Sequence, residues 1–201
     1  MNLSDYVISF DNSLSKEICD EMMIKFDCDK NVVDGITQSR DGGYKISDSK
    51  KSREIMISDS KDWEFYDNKV YECLALNLKQ YFNFVRDKLD YGFNNPKDSG
   101  YKMKKYDKND GWFNWHVDFS INQHETTSRA LAVILYLNDV DDGGCTEFRF
   151  GLQIKPQKGK MIIFPATWMF PHRGQVPISN SKYIITTFIS QKTIVDNGGT
   201  Y

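Results

Sequence analysis

This chain has few histidines, no closely spaced pair of cysteines and no long apolar run. The last two absences each argue against a class of protein. The 201 residues include three histidines and four cysteines. The cysteines, Cys19, Cys28, Cys73 and Cys145, lie far apart without a Cys-x-x-Cys pair, which argues against a zinc site. No apolar run approaches the ~20 residues of a membrane-spanning helix. We therefore expect a water-soluble protein with reduced thiols and no membrane partner.

An excess of charge of either sign is missing as well. Lysine and arginine number 26 against 28 acidic residues, so the formal net charge is −2. Without a global positive field, nucleic acid is not the expected partner. The first residues, Met1–Asp5, have neither the basic stretch nor the apolar core of a signal peptide, which predicts a cytoplasmic location. The oligomeric state stays open at this point.

The residues that are present describe one globular domain over 1–201. Hydrophobic residues make up 40% of the chain and aromatic residues 14%. A chain of this length can bury a core of its own and needs no disulfide to fold. We divide it into a helical support region with short strands (1–100), a strand-rich core (101–192) and a tail (193–201).

Two helices are predicted in the first hundred residues. Ser15 can cap a helix in which Leu14, Ile18, Met22 and Phe26 recur every four residues. A longer helix is predicted from Asp62 to Leu89, with one buried stripe along its length. The stripe consists of Val70, Leu74, Leu78, Phe82, Val85 and Leu89. Between the helices, residues 40–60 read as a strand or two with a loop. The lysines and arginine there (Lys45, Lys50, Lys51 and Arg53) indicate either a solvated loop or a site for an acidic partner.

The second half changes to short strands separated by turns. Ala130–Leu137 is a continuous apolar run of strand length that ends at Asp141-Asp142-Gly143-Gly144. Further strands are predicted at 146–150, 160–164, 170–174 and 183–190. About seven short strands favour an all-β sandwich or jelly roll supported by helices, an α+β arrangement.

His116-Val117-Asp118 is the first candidate for chemistry. Alternate residues of a strand project to one face, so His116 and Asp118 can converge on one point. Two imidazoles and one carboxylate form the facial triad of non-haem Fe(II) oxygenases. His172 is the natural third ligand, on a later predicted strand. Lys182 follows ten residues after His172, where it can return a cation to the same cleft for a dicarboxylate.

These residues, with their surroundings, resemble the 2-oxoglutarate- and Fe(II)-dependent oxygenases, and specifically their prolyl 4-hydroxylase-like branch. The resemblance covers most of the chain. Its motifs are the opening helix at 14–20, Tyr106, His116-Val117-Asp118, Arg129 with 134–138, 143–148, 158–160, Phe164-Pro165, 172–177 and Lys182-Tyr183.

The resemblance implies a double-stranded β-helix, the cupin-like jelly roll, with N-terminal helices packed on its major sheet. It implies that His116, Asp118 and His172 are the catalytic iron ligands. The cosubstrate 2-oxoglutarate would chelate the iron and pair its distal carboxylate with Lys182. Dioxygen would oxidise it to succinate and CO2 while a substrate C–H bond is hydroxylated. Ascorbate is a further cofactor that the resemblance suggests.

The resemblance also assigns residues to the cosubstrate and the substrate. Tyr106 matches a family tyrosine near the cosubstrate, and Arg129 a position that holds the peptide in prolyl 4-hydroxylases. We therefore predict a hydroxylase acting on a peptide or protein, with peptidyl proline as the plausible target. Phe113 departs from the family, which often has a tyrosine three residues before the first ligand.

Several alternatives stay open. The same chemistry could act on a nucleobase, a free amino acid or another small molecule, or the chain could be an inactive jelly-roll binding module. Arg129 could instead anchor its strand to a carboxylate. Trp112 and Trp115 could wall the substrate cleft or pack the sandwich, and His124 could lie at the surface or touch substrate. The lysines of 101–108 are compatible with a solvated edge strand or with a phosphate-binding surface.

Overall fold

The structure is a computed structural model that describes residues 2–38, 44–46, 49–122 and 127–192. His124, the tail from residue 193 and part of the predicted 40–60 loop lie outside the described residues. In the part that is described, no helix is both long and apolar enough to cross a membrane.

Both predicted helices are confirmed. Helix α1 spans Lys16–Cys28, and the side-chain oxygen of Ser15 accepts a 3.3 Å hydrogen bond from the amide of Ile18. Helix α2 spans Glu64–Leu89 and follows a short 3₁₀ turn. The predicted stripe was right at Val70, Leu74 and Val85, but it missed Cys73, Asn77 and Tyr81, which are buried on the same face. The reason is geometric, because steps of four residues overshoot the 3.6-residue turn and rotate away from the core. Leu89, at the end of the stripe, is exposed.

The strands follow in chain order. They are β1 (Ile8–Phe10), β2 (Val33–Asp34), β3 (Ile36–Gln38), β4 (Tyr44–Ile46), β5 (Lys50–Lys51), β6 (Arg53–Met56), β7 (Lys97–Asp98), β8 (Lys102–Tyr106), β9 (Trp112–His116), β10 (Ile121–Asn122), β11 (Thr127–Tyr136), β12 (Thr146–Phe148), β13 (Gln153–Ile154), β14 (Met161–Pro165), β15 (His172–Gly174) and β16 (Lys182–Lys192).

Two antiparallel sheets form the core of the fold. The larger has the order β1-β14-β11-β16-β8-β6-β2, with β10 beside β11 and β7 beside β16. The smaller has the order β13-β12-β15-β9-β5, and β3 and β4 form a separate pair. Strands that are distant in the chain are neighbours in both sheets. This is the predicted double-stranded β-helix, or jelly roll, with supporting helices.

The larger sheet buries both of its faces. Leu131, Val133 and Leu135 of β11 belong to the core that also contains residues of α1 and α2. Ala132 and Ile134, on the opposite face, pack in a second core with aromatic residues of the smaller sheet and its neighbours. The alternation explains why 130–137 reads as a continuous apolar run, because a strand buried on both faces has no polar side. The helices thus support the sheet from behind and leave the space between the sheets for a site.

Two expectations for the basic segments were wrong. Strand β8 lies between β16 and β6, so it is no edge strand, and Lys104 is only 8% exposed. Within the basic segment before β6, Lys50 is not solvated either. It is 6% exposed, and its ammonium lies 2.6 Å from Oε1 of Glu54. Local composition suggested solvation, but both lysines are buried by strand pairing that composition does not reveal.

Candidate active site

His116, Asp118 and His172 are brought together at one edge of the space between the sheets. His116 is the last residue of β9 and His172 the first of β15, and the antiparallel register places the two directly opposite each other. Nε2 of His116 lies 3.7 Å from Asp118 Oδ1, and Nε2 of His172 lies 3.4 Å from Asp118 Oδ2. One donor atom from each of the three residues falls within 4.8 Å of the others. The cluster has the size and composition of a site for one metal ion.

The backbone fixes how each imidazole faces the cluster. Nδ1 of His116 lies 2.8 Å from the carbonyl oxygen of Asn114, and Nδ1 of His172 lies 3.1 Å from that of Phe170. Because a carbonyl oxygen can only accept, Nδ1 must carry the hydrogen in both rings. The lone pair of each Nε2 is then directed at the cluster. This arrangement is typical of metal-binding histidines, whose other nitrogen donates to a fixed acceptor.

The protonation of His116 suits a metal ligand. Burial lowers its pKa to about 4, with a further contribution from His172, while Asp118 opposes the shift. His116 is therefore neutral at neutral pH and able to coordinate a cation. Two imidazole nitrogens and one carboxylate oxygen fit the facial triad of Fe(II).

Aromatic rings hold both histidines in place. The ring of Phe113 stacks on His116 with centroids 3.6 Å apart and planes 15° apart. Phe164 meets His172 edge to face at 5.0 Å. Phe113 and Phe164 restrict the rotation of the imidazoles, so the ligand geometry is set before any metal binds.

A cavity opens from this cluster into the interior of the jelly roll. Its walls come from both sheets and include the three members of the cluster. Lys182, at the start of β16, is 2% exposed and also lines the cavity. Its Nζ donates a 2.8 Å hydrogen bond to the carbonyl oxygen of Gly144 and lies 4.8 Å from the ring centroid of Tyr106. Tyr106 lies opposite Lys182 in the pairing of β8 with β16 and lines the same cavity.

Two glycines allow this placement of Lys182. Gly144 has a φ of +68°, a conformation that side-chain-bearing residues rarely adopt, and its carbonyl is the acceptor for the ammonium. A Cβ at Gly174 would lie 3.6 Å from Lys182 Nζ, so a larger side chain there would fill the space beside the ammonium. Burial lowers the pKa of Lys182 to about 8, against a smaller opposing effect of Cys145. The lysine has no carboxylate partner among the described residues, so its ammonium is available to an anion in the cavity.

Arg129 and Trp115 are placed differently from each other. Nη1 of Arg129 lies 3.3 Å from the carbonyl oxygen of Asp118, and its guanidinium lies 3.8 Å from the ring centroid of Phe188. Because Phe188 lines the cavity, Arg129 stands at its border. Trp115 contacts Arg149 and Arg173 at 4.0 and 4.9 Å and is not part of the cavity wall. The structure therefore does not bring Trp115 together with the other residues predicted for the site.

Sequence reasoning missed several residues of the cavity wall, among them the polar residues Lys104, Thr146 and Thr186. The signal for Lys104 was available, because Lys104 and Tyr106 are two residues apart on one strand and must project to the same face. Its lysine-rich neighbourhood concealed that signal. For Thr146 no signal in the sequence distinguished it from other strand residues.

Comparison with known proteins agrees with this geometry. Residues 101–190 match the family model described as the 2OG-Fe(II) oxygenase superfamily. They carry all three members of the cluster and Lys182. This part of the chain is therefore similar to 2-oxoglutarate- and Fe(II)-dependent oxygenases. The donor set of the His116, Asp118 and His172 cluster fits the Fe(II) for which that superfamily is named. The comparison with curated proteins gave no match.

Solved structures with the same fold are prolyl hydroxylases. The viral collagen prolyl hydroxylase of Paramecium Bursaria Chlorella virus-1, solved with 2OG, has a TM-score of 0.65 and 16% identity, covering 92% of this chain and 96% of that one. The Trichoplax adhaerens prolyl hydroxylase, solved with a hypoxia inducible factor peptide fragment, has a TM-score of 0.68 and 14% identity, covering 92% and 84%. A Pseudomonas putida prolyl-4-hydroxylase has a TM-score of 0.59 and 13% identity, covering 91% of each chain. At these identities the likeness establishes the shared jelly-roll fold.

Proposed function

We propose that this protein is an Fe(II)- and 2-oxoglutarate-dependent dioxygenase of the cytoplasm that hydroxylates a side chain of a peptide or protein, with peptidyl proline as the target. The observation that carries the proposal is the joint placement of the His116, Asp118 and His172 cluster and the buried Lys182 in one cavity. A metal site beside a buried ammonium suits a dicarboxylate that chelates at one end and forms an ion pair at the other. The prolyl hydroxylase structures of the same fold supply the substrate class.

The roles of the residues follow from their positions. His116, Asp118 and His172 hold the iron, which when bound supplies the activation of dioxygen. Lys182 pairs with the distal carboxylate of 2-oxoglutarate, and the Tyr106 ring supports that ammonium from the next strand. The two sheets exclude water from the cosubstrate, which strengthens its ion pair. Arg129 binds the substrate at the border of the cavity.

Apolar residues exposed beside the ligands support a substrate larger than a metabolite. Val117, Phe119 and Ile121 follow His116 in alternation and are 44–56% exposed. Trp168 and Met169, shortly before His172, are exposed by 75% and 41%. Apolar surface of this kind is typical of sites where a polypeptide docks. Both segments lie within a few residues of an iron ligand, where a docked chain would present a side chain to the metal.

The test combines product detection with ligand variants. The protein is incubated with Fe(II), 2-oxoglutarate and a set of proline-containing peptides, while succinate and peptide mass are measured. We expect succinate together with a mass gain of one oxygen on a proline. His116→Ala and Asp118→Ala should abolish both, and Asp141→Ala, at an exposed carboxylate, should change neither. Turnover on free amino acids or nucleic acid oligomers, with none on peptides, would replace the proposed substrate. Full activity of the His116 variant would exclude the proposed iron site.

A further inference from the structure

Lys104 is a second buried cation in the cavity wall, and neither the binding of iron nor that of the distal carboxylate of 2-oxoglutarate requires it. The residue is 8% exposed and lines the same cavity as Lys182. It has no hydrogen bond or ion pair with any of the described residues, whereas Lys182 bonds to a backbone carbonyl. A buried ammonium without a hydrogen-bonded partner is costly, and a ligand anion in the cavity would compensate it.

The nearby carboxylate of Glu54 compensates Lys104 only in part. Glu54 lies opposite Lys104 in the pairing of β6 with β8 and is its main electrostatic partner. The same carboxylate also accepts hydrogen bonds at Oε1 from Lys50 at 2.6 Å and Ser52 at 2.9 Å, and its Oε2 lies 3.7 Å from Nζ of Lys102. One negative charge is thus shared among three lysines. On the cavity wall itself, two lysines stand against one carboxylate, that of Asp118. With a divalent metal bound as well, the positive charge of the site suits an anion with more than one charge.

The position of Lys104 in the sheet indicates which part of an anion it meets. Tyr106 is paired with Lys182, and Lys104 with Ile184, one step further along β16. That step leads along β16 away from Lys182, toward Phe188 and the border of the cavity. Nζ of Lys104 lies 6.0 Å from the ring centroid of Phe113, the ring that stacks on His116. Lys104 is therefore on the metal side of Lys182.

We infer that Lys104 binds the 2-oxo acid end of the cosubstrate, so that the two carboxylates of 2-oxoglutarate are held by two different lysines. The inference rests on the proposed function, because it assumes that the cosubstrate lies between Lys182 and the metal cluster. Lys104 is too deeply buried to meet a polypeptide docked at the border, but a small anion enclosed in the cavity can reach it. Phe113 carries no hydroxyl and therefore offers no hydrogen bond to an anion in the cavity.

The experiment uses two ligands that share the 2-oxo acid group. The full-length protein is loaded with Mn(II), and its affinity is measured for 2-oxoglutarate and for 2-oxovalerate, which keeps the 2-oxo acid but lacks the distal carboxylate. We expect Lys104→Met to weaken both probes by about tenfold or more, the range of a charge-assisted hydrogen bond. Lys182→Met should weaken 2-oxoglutarate and leave 2-oxovalerate unchanged. Lys102→Met, on the same face of β8 but outside the cavity wall, is the matched control and should change neither.

Stability separates binding from a structural role. Because Met removes a buried charge that has no hydrogen-bonded partner, and Glu54 keeps Lys50, Ser52 and Lys102, Lys104→Met without ligand should unfold at the same or a higher denaturant concentration than the wild type. A structural lysine would give a less stable variant instead. Wild-type affinity for both probes in Lys104→Met would overturn the inference. A loss of affinity for 2-oxoglutarate alone would also overturn it, because it would assign Lys104 to the distal carboxylate. A variant that changes only the KM for the peptide would overturn it as well. Failure of the wild type to bind 2-oxoglutarate would instead overturn the proposed function.

Discussion

His172 lies directly opposite His116 in the antiparallel pairing of β15 with β9, and their ring centroids are 4.2 Å apart. The register of two strands that are more than fifty residues apart in the chain thus sets the distance between two metal ligands. The third ligand, Asp118, lies two residues beyond the end of β9 and needs no further strand. A shift of one residue in this register would turn one imidazole away from the cavity.

The first prediction concerns the metal. Asp118→Ala removes the carboxylate of the cluster and leaves two imidazole nitrogens, so the affinity for Fe(II) or Co(II) should fall by at least about a hundredfold. Titration followed by absorption of Co(II) or by calorimetry measures the effect. Asp141→Ala should bind metal like the wild type. Unchanged binding by the Asp118 variant would place the metal elsewhere.

The second prediction separates the cosubstrate from the metal. Lys182→Ala should weaken 2-oxoglutarate by about tenfold to a hundredfold, because a buried charge-assisted contact is lost. Metal affinity should stay nearly the same, because Lys182 would meet the distal carboxylate alone. Parallel titrations of metal and cosubstrate provide the measurement. An equal loss of both affinities would show that Lys182 has a structural role.

The third prediction is a pH dependence of cosubstrate binding. Burial lowers the pKa values of Lys182 and Lys104 to about 8 each in the free cavity. Only the ammonium form attracts a carboxylate, so binding above pH 8 must take up a proton. Affinity for 2-oxoglutarate should therefore be flat with respect to these lysines below pH 7, and it should fall above pH 8 by up to about tenfold per pH unit for each lysine that binds. Lys182→Met should show a shallower fall, and an affinity independent of pH up to 10 would contradict the assignment.

Much of this site could be predicted from the sequence, because its signals are local. His116 and Asp118 reveal themselves by alternation, and His172 and Lys182 by a fixed spacing on later strands. The burial of Lys50 and Lys104 could not be predicted from composition. Their burial depends on which strand pairs with β8 and β9, and such long-range pairing leaves no trace in a window of a few residues. Sequence alone could not place Trp115 for the same reason, since the face of β9 that it occupies depends on the irregular register between β9 and β15.

The fourth prediction concerns the buried ion pair behind the cavity. Burial alone would raise the pKa of Glu54, but Lys104 and Lys50 together hold it below its usual value. Glu54→Gln leaves these lysines without a counter-ion and should lower the free energy of unfolding by ~3–5 kcal/mol. Glu72→Gln, in an exposed pair with Lys69, should cost no more than ~0.5 kcal/mol. Urea denaturation of both variants measures the difference, and similar losses would mean that the Glu54 pair is solvated in solution.

The last prediction distinguishes two roles of Arg129. Its guanidinium lies between the carbonyl of Asp118 and the ring of Phe188, so it could position the ligand loop as well as bind a substrate. If it binds the peptide, Arg129→Met should raise the KM for peptide by about tenfold, while metal affinity and succinate formation without peptide stay within about threefold. If it only holds Asp118, metal affinity should fall and the KM should not change separately. Arg149→Met, which loses a guanidinium on Trp115 outside the cavity, should leave all three quantities unchanged. A carboxylate ligand whose own backbone is held by the substrate-binding arginine would connect peptide docking to the iron site through one hydrogen bond.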